Sequence, residues 1–220
     1  MKEISIFDVI GPNMIGPSSS HTAGALRIAL MVRKLVQKPI REVKFILYGS
    51  FAQTYKGHGT DKALVAGILG METEDERIKD AFTYAKEKGL NYIFEPNKVK
   101  HTDHPNTVEV IATDEQGELT TVVGVSIGGG NIRIDQINGV DVEFTGEYCT
   151  MIIKQNDTPG IVAHITQALS TYAINIAFMR LYRESKGTLA YTIIETDEAI
   201  DERVQDKIKE NASILDVKII

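Results

Sequence analysis

Tryptophan is absent from the 220 residues, and the 8 Tyr and 7 Phe are scattered rather than interleaved with basic residues. That removes the usual stacking platform for single-stranded nucleic acid. An excess of positive charge is lacking too. With 24 Lys and Arg against 30 Asp and Glu, the formal net charge is −6, which argues against broad, sequence-independent binding of nucleic acid or anionic membranes. Cysteine occurs once, at Cys149. No intrachain disulfide can form, and thiolates of this chain alone cannot build a zinc or iron–sulfur site. No apolar run reaches membrane-spanning length, and Met1-Lys2-Glu3-Ile4-Ser5-Ile6-Phe7 lacks the long apolar stretch of a signal peptide. A cytoplasmic protein is expected. What remains is an ordinary globular composition, 43% hydrophobic and 25% charged. The length suffices for one large domain or two smaller ones.

Against these absences stands one dense stretch, Gly16-Pro17-Ser18-Ser19-Ser20-His21-Thr22-Ala23-Gly24. Leu26, Ala29, Leu30 and Val36 follow at helical spacing, so the polar run lies where a loop becomes an amphipathic helix, expected over about 20–37. A hydroxyl just ahead of such a helix accepts a bond from an unpaired backbone N–H. The free N–H groups and the positive end of the dipole also favour an anion there. One Ser is explained by capping. Four hydroxyls and an imidazole exceed what capping needs.

Ile4, Ile6 and Phe7 suggest a first strand before the turn at Gly11-Pro12-Asn13. A strand is expected over 42–49, and then a second loop-to-helix junction, Gly57-His58-Gly59-Thr60-Asp61, ahead of the apolar run 63–69. The glycines permit positive φ or close backbone approach, and Thr60 or Asp61 can cap. His58 there reads equally as a surface residue on a tight turn or as part of a site. An amphipathic helix is expected over 74–88 and a short strand over 91–94. The loop from His101 to Thr107 holds two His and an Asp without a ligand motif, and no metal is assigned to it. From Thr107 the pattern turns to strands: 108–112, 120–126, then a break at Gly128-Gly129-Gly130. A hairpin follows over 132–144 around Asn138-Gly139, a type I′ signal.

Thr145-Gly146-Glu147 reads as a linker. Beyond it the expected order is strand 149–154, helix 159–171, strand 174–182, strand 189–196, helix 201–211 and strand 215–220. This is the ferredoxin-like βαββαβ arrangement. Asp157 or Thr158 suits the cap of its first helix, Pro159 the first helical position, and Gly160 a close backbone approach. The edges of such a small sheet favour pairing with a second copy.

These two halves together resemble the β chain of the bacterial two-chain, iron–sulfur L-serine dehydratases. The long motif from Gly16 to Gly24 carries the resemblance, and Gly57-His58-Gly59-Thr60-Asp61 supports it. An α+β chain is implied: a mixed α/β domain of the allosteric-substrate-binding type over 1–147, then an ACT domain over 148–220. The implied reaction is deamination of L-serine to pyruvate and ammonia without pyridoxal phosphate. A [4Fe–4S] cluster would be held by a separate α chain, with no metal ligand in this one. The resemblance implies Ser18, Ser19, Ser20, Thr22 and His58 as substrate-binding groups. His21 is implied in proton transfer, with the roles of base and of substrate binder both open. For the ACT domain it implies an amino-acid effector at Asn156, Asp157, Pro159, Gly160 and Ile161, and a homodimer through either domain. A chain of this kind is expected to be inactive alone. Two other readings stay open: an amino-acid sensor without chemistry, and a structural partner whose Ser/His loop is a rigid cap.

Overall fold

The computed structural model describes residues 13–220. The expected strand at Ile4, Ile6 and Phe7, and the first part of the turn before Asn13, lie outside the described residues. Two compact units divide the chain, Met1–Gly139 and Val140–Ile220.

In the first unit a π-helical turn, Ser19–Gly24, leads into helix α1, Ala25–Val36. Strand β1, Ile40–Leu47, alternates so that Val43, Phe45 and Leu47 point inward. Two helices follow, α2 (Gly49–Thr54) and α3 (Thr60–Leu69). The short α2, flanked by glycine and too brief to show a period, was not expected from the sequence. The helix expected over 74–88 is two pieces: a 3₁₀ turn, Glu76–Asp80, and α4, Ala81–Glu87. Asp75 caps the 3₁₀ turn, its carboxylate accepting from the Arg77 N–H at 2.9 Å, and the break falls at Asp80, whose φ of −110° and ψ of 17° leave the helical region. Ile78, Ala81 and Ala85 still face the core.

Strands β2 (Asn91–Pro96), β3 (Thr107–Asp114), β4 (Leu119–Gly128) and β5 (Asn131–Ile137) join β1 in the order β2-β1-β3-β4-β5, and β6 (Val140–Phe144) opens the second unit. β1 and β2 run parallel; β1/β3, β3/β4 and β4/β5 are antiparallel. Gly128-Gly129-Gly130 does not break this sheet. With φ of 105°, 61° and 84°, the three glycines make the β4–β5 connection, a conformation that residues with a Cβ adopt at a cost. At the next turn Asn138 and Gly139 both have positive φ (50° and 81°), as a type I′ turn requires.

Helix α1 lies over β3, β4 and β5 and against α3. Both approaches depend on absent side chains. A Cβ on Gly124 of β4 would overlap Ile28, and one on Gly67 of α3 would overlap the Leu26 carbonyl. Leu26, Ile28, Ala29 and Val32 are fully buried there, and the start of α1 is thereby fixed over the middle of the sheet.

The second unit follows the expected βαββαβ order: β7 (Cys149–Asn156), α5 (Ile161–Thr171), β8 (Phe178–Arg183), β9 (Leu189–Thr196), α6 (Glu202–Lys209) and β10 (Ile214–Ile219). Its sheet order is β10-β7-β9-β8, with every pair antiparallel. Met151, Ile153, Ile194 and Val217 from the sheet meet Ile165, Leu169, Val204 and Ile208 from the helices in one core. The cap expected from Asp157 or Thr158 is not formed. Gly160, at φ 88°, stands at the helix start with no side-chain cap. Asp157 turns instead to the Gly187 N–H (2.9 Å) and to Arg183 (3.5 Å).

Candidate functional site

The polar run of the first unit is wound as a π-helical turn rather than as the first turn of α1. Ser18 precedes it in extended conformation, and its Oγ accepts from the His21 N–H at 3.1 Å, a side-chain cap of the expected kind. Thr22, Ala23 and Gly24 are buried, while Ser18, Ser19, Ser20 and His21 are half-buried. π-helical turns are rare and recur at functional sites. Here the turn is held from inside. A Cβ on Gly24 would overlap the Ser126 side chain, and Gly16, at φ 122°, packs directly against Thr22.

His21 is the centre of the contacts. Its Nε2 shares a 2.8 Å hydrogen bond with Ser50 Oγ, and its Nδ1 lies 3.4 Å from Ser18 Oγ. Its ring meets those of His58 and Phe51 edge-on, with centroids 4.7 Å and 5.4 Å away. Burial, and then the positive charge of His58, hold its pKa below the usual 6.5. A neutral imidazole at pH 7 follows, able to accept a proton. Thr22 Oγ1 donates to the His58 carbonyl at 3.1 Å, so both motifs named from the sequence come together. Gly59 takes positive φ (68°) and caps α3 by itself; neither Thr60 nor Asp61 is the cap residue.

Sequence reasoning missed three members of the site. Ser50 enters from α2 through His21. Asn106 and Ser126 enter through the strands: the Ser50 N–H donates to the Pro105 carbonyl (2.7 Å), and the Ser126 N–H to the Asn106 carbonyl (3.0 Å). Their only signal in the sequence was a small polar residue in a turn or at a strand end, which is too common to single out.

A cavity of about 460 Å³ in the same unit is lined by Arg33, Lys38, Leu69 and Lys88, where α1, α3 and α4 end. Two of its cations are engaged: Arg33 donates to the Ile68 carbonyl (3.1 Å), and Lys38 pairs with Asp114 (3.1 Å) and Glu118 (2.8 Å). No residue of the His21 cluster lines it.

In the second unit, the Asn156 N–H donates to the Ser213 carbonyl (2.8 Å) and the Asp157 N–H to the Thr188 carbonyl (2.7 Å). Pro159 and Gly160 are exposed. Ile161 is 3% exposed, so its side chain belongs to the core and only its backbone can serve a ligand.

Comparison with known proteins agrees with both halves. The family described as "Serine dehydratase beta chain" matches residues 5–136, and "ACT domain" matches residues 150–213. A probable L-serine dehydratase, beta chain, from Bacillus subtilis (strain 168) is 42% identical over 99% of this chain and 98% of its own length. The L-serine dehydratase, beta chain, of Peptoniphilus asaccharolyticus is 41% identical over 94% of each chain. D-3-phosphoglycerate dehydrogenase from Bacillus subtilis (strain 168) is 26% identical over 88% of this chain but only 37% of its own length.

Proposed function

The chain belongs to the serine dehydratase β-chain family and carries an ACT domain, and on that premise we propose that it is one half of an L-serine-deaminating complex. The other half is an α chain, as the two relatives' designation as β chains supports, and the [4Fe–4S] cluster implied by the family resemblance is assigned to that chain. The residues present here do not fit such a group. Among the described residues no three His, Cys, Asp or Glu side chains gather as a metal site. The single thiol, Cys149, stands at the start of β7 in the second unit.

This chain's part in the reaction is therefore to bind the substrate and move a proton. The His21 contacts carry this reading. An imidazole kept neutral by burial and by His58, on a turn of hydroxyls at a helix start, suits the removal of an α-proton at pH 7. Ser18, Ser19, Ser20 and Thr22, with the turn's backbone N–H groups, suit the substrate carboxylate. Ser18 Oγ accepts from the His21 N–H, and its own proton is shared between His21 Nδ1 at 3.4 Å and a substrate oxygen. The second unit supplies regulation or dimerisation, through its Asn156–Ile161 turn or the edge strands β8 and β10.

One observation favours a second reading. The stretch shared with D-3-phosphoglycerate dehydrogenase spans most of this chain, so the two-domain body accompanies more than one activity. As a sensor it would bind an amino acid without turning it over. Purified chain mixed with the α chain, iron and sulfide decides the matter. L-serine-dependent pyruvate formation, absent with either chain alone, is the expected result. L-serine binding by this chain alone, with no turnover in the mixture, would support the sensor instead.

A further inference from the structure

The shorter polar contact of the His21 ring comes from another element of the same unit. Ser50 Oγ, at the start of α2, lies 2.8 Å from Nε2, against 3.4 Å between Ser18 Oγ and Nδ1. The backbone around Ser50 is held on both sides. The Ser50 N–H donates to the Pro105 carbonyl at 2.7 Å, and the Tyr48 N–H to the Thr107 carbonyl at 3.0 Å. The Thr54 hydroxyl donates to the Ser50 carbonyl at 2.8 Å. Gly49, at φ 52°, sits so close to Pro105 that a Cβ would overlap the Pro105 carbonyl oxygen. Phe51 and Ala52, next in α2, are buried. The hydroxyl therefore stands on a fixed backbone, and it is the imidazole ring that adjusts to it.

A neutral imidazole has one N–H and one lone pair, and the bond made at one nitrogen decides what is left at the other. Ser18 Oγ accepts from the His21 N–H and offers its own proton to Nδ1. A ring that accepts at Nδ1 carries its proton at Nε2, where Ser50 Oγ is the acceptor. The reverse tautomer would spend the lone pair on the Ser50 hydroxyl and leave no basic atom beside the hydroxyls of the turn.

We propose that Ser50 is a positioning residue: it accepts the Nε2–H of His21, keeps the Nδ1 lone pair on the side of the Ser18–Thr22 hydroxyls, and holds the imidazolium after Nδ1 has taken the α-proton. This rests on reading His21 as the base of an L-serine dehydratase subunit and adds the group that orients it. Ser50 acts through His21, without touching substrate. An acceptor at Nε2 serves both protonation states, since Nε2–H donates before and after the transfer and its bond strengthens when the ring is charged.

Two measurements test this. In the full chain carrying isotope-labelled histidine, at about pH 8 where the ring is neutral, long-range proton–nitrogen correlation spectra read the tautomer of His21. Its signals are assigned by their loss in His21→Ala. The parent is expected to show the Nε2–H form, and Ser50→Ala a mixture of the two forms. In the complex rebuilt with the α chain, iron and sulfide, Ser50→Ala is expected to lower kcat roughly 10- to 100-fold and to leave KM for L-serine within about threefold, the pattern of a misaligned base. An Nδ1–H tautomer in the parent overturns the proposal, and so does a Ser50→Ala variant with the parent's tautomer or the parent's kcat. The parent's tautomer is read without any change at Ser50, which keeps the test available if Ser50→Ala does not fold. A rebuilt parent complex that forms no pyruvate sinks the dehydratase reading, and the tautomer still decides whether Ser50 orients His21.

Discussion

Each unit has a loop-to-helix junction that the sequence marks as a candidate site, and the two are built in opposite ways. At Ser18–Gly24 the backbone opens into the wider i→i+5 winding. The turn is π-helical, Ser18 caps it, Thr22 to Gly24 are buried, and Gly24 leaves no room for a Cβ. At Gly160 the backbone takes φ 88° with no side-chain cap, and a Cβ there would meet nothing within 4 Å. The first junction is held by its interior neighbours; the second is open and held by its own backbone. A reacting imidazole gains from the first kind of support, since misplacement by about 1 Å can cost on the order of 10²-fold in rate. An effector turn would gain from the second, where Pro159 and Gly160 are exposed and little has to move for a ligand to enter.

The sharpest way to break this comparison is His21→Ala. If the first junction does chemistry, kcat of the reconstituted complex falls by roughly 10²- to 10⁴-fold, the usual worth of a positioned acid–base group. The unfolding midpoint should hardly change, because His21 is half-buried and outside the core. Retention of full rate would remove His21 from the mechanism and leave the turn as a structural cap.

A second test asks whether the turn needs its close packing. Gly24→Ala forces a methyl into the Ser126 side chain. Overpacking of this kind costs about 1–3 kcal/mol, read as a lower denaturation midpoint, and it displaces the His21 turn, so activity falls with stability. Gly160→Ala meets no neighbour and bears only the strain of a left-handed residue, about 1–2 kcal/mol. Equal loss of activity per unit of lost stability in the two variants would erase the distinction between the junctions.

Much of this was legible beforehand because it is local. The Val140–Phe144 and Leu189–Thr196 strands end where alternation and turn residues say they should, and the order of elements identifies the second unit. The polar turn was legible as chemistry because four hydroxyls and an imidazole exceed a cap. Ser50, Asn106 and Ser126 were not legible, for a topological reason. β1 pairs with β3, placing Leu47 opposite Val108 across the ladder, and no periodicity within either segment encodes that neighbour. Asp157 misled for a different reason. Its position suits a cap, but the left-handed Gly160 starts the helix on its own and frees the carboxylate for Gly187 and Arg183.

The smallest effect concerns the partnership of the two imidazoles, which has no counterpart at the second junction. Burial, and then the His58 charge, lower the pKa of His21. As a base His21 must be neutral, so the acid limb of kcat/KM lies below the ordinary value of 6.5. His58→Gln removes the charge and leaves the burial, so the limb moves to higher pH without reaching 6.5. Stability carries the same sign. As pH falls below 6.5 the unfolded chain takes a proton on His21 before the folded chain does, so stability declines through that window and levels off below the folded pKa. In the variant the window narrows and the decline is smaller. The pH profile of kcat/KM and denaturation midpoints between pH 5 and 7 measure both. A limb that stays in place, or moves to lower pH, would show that the group titrating in catalysis is not an imidazole paired with His58.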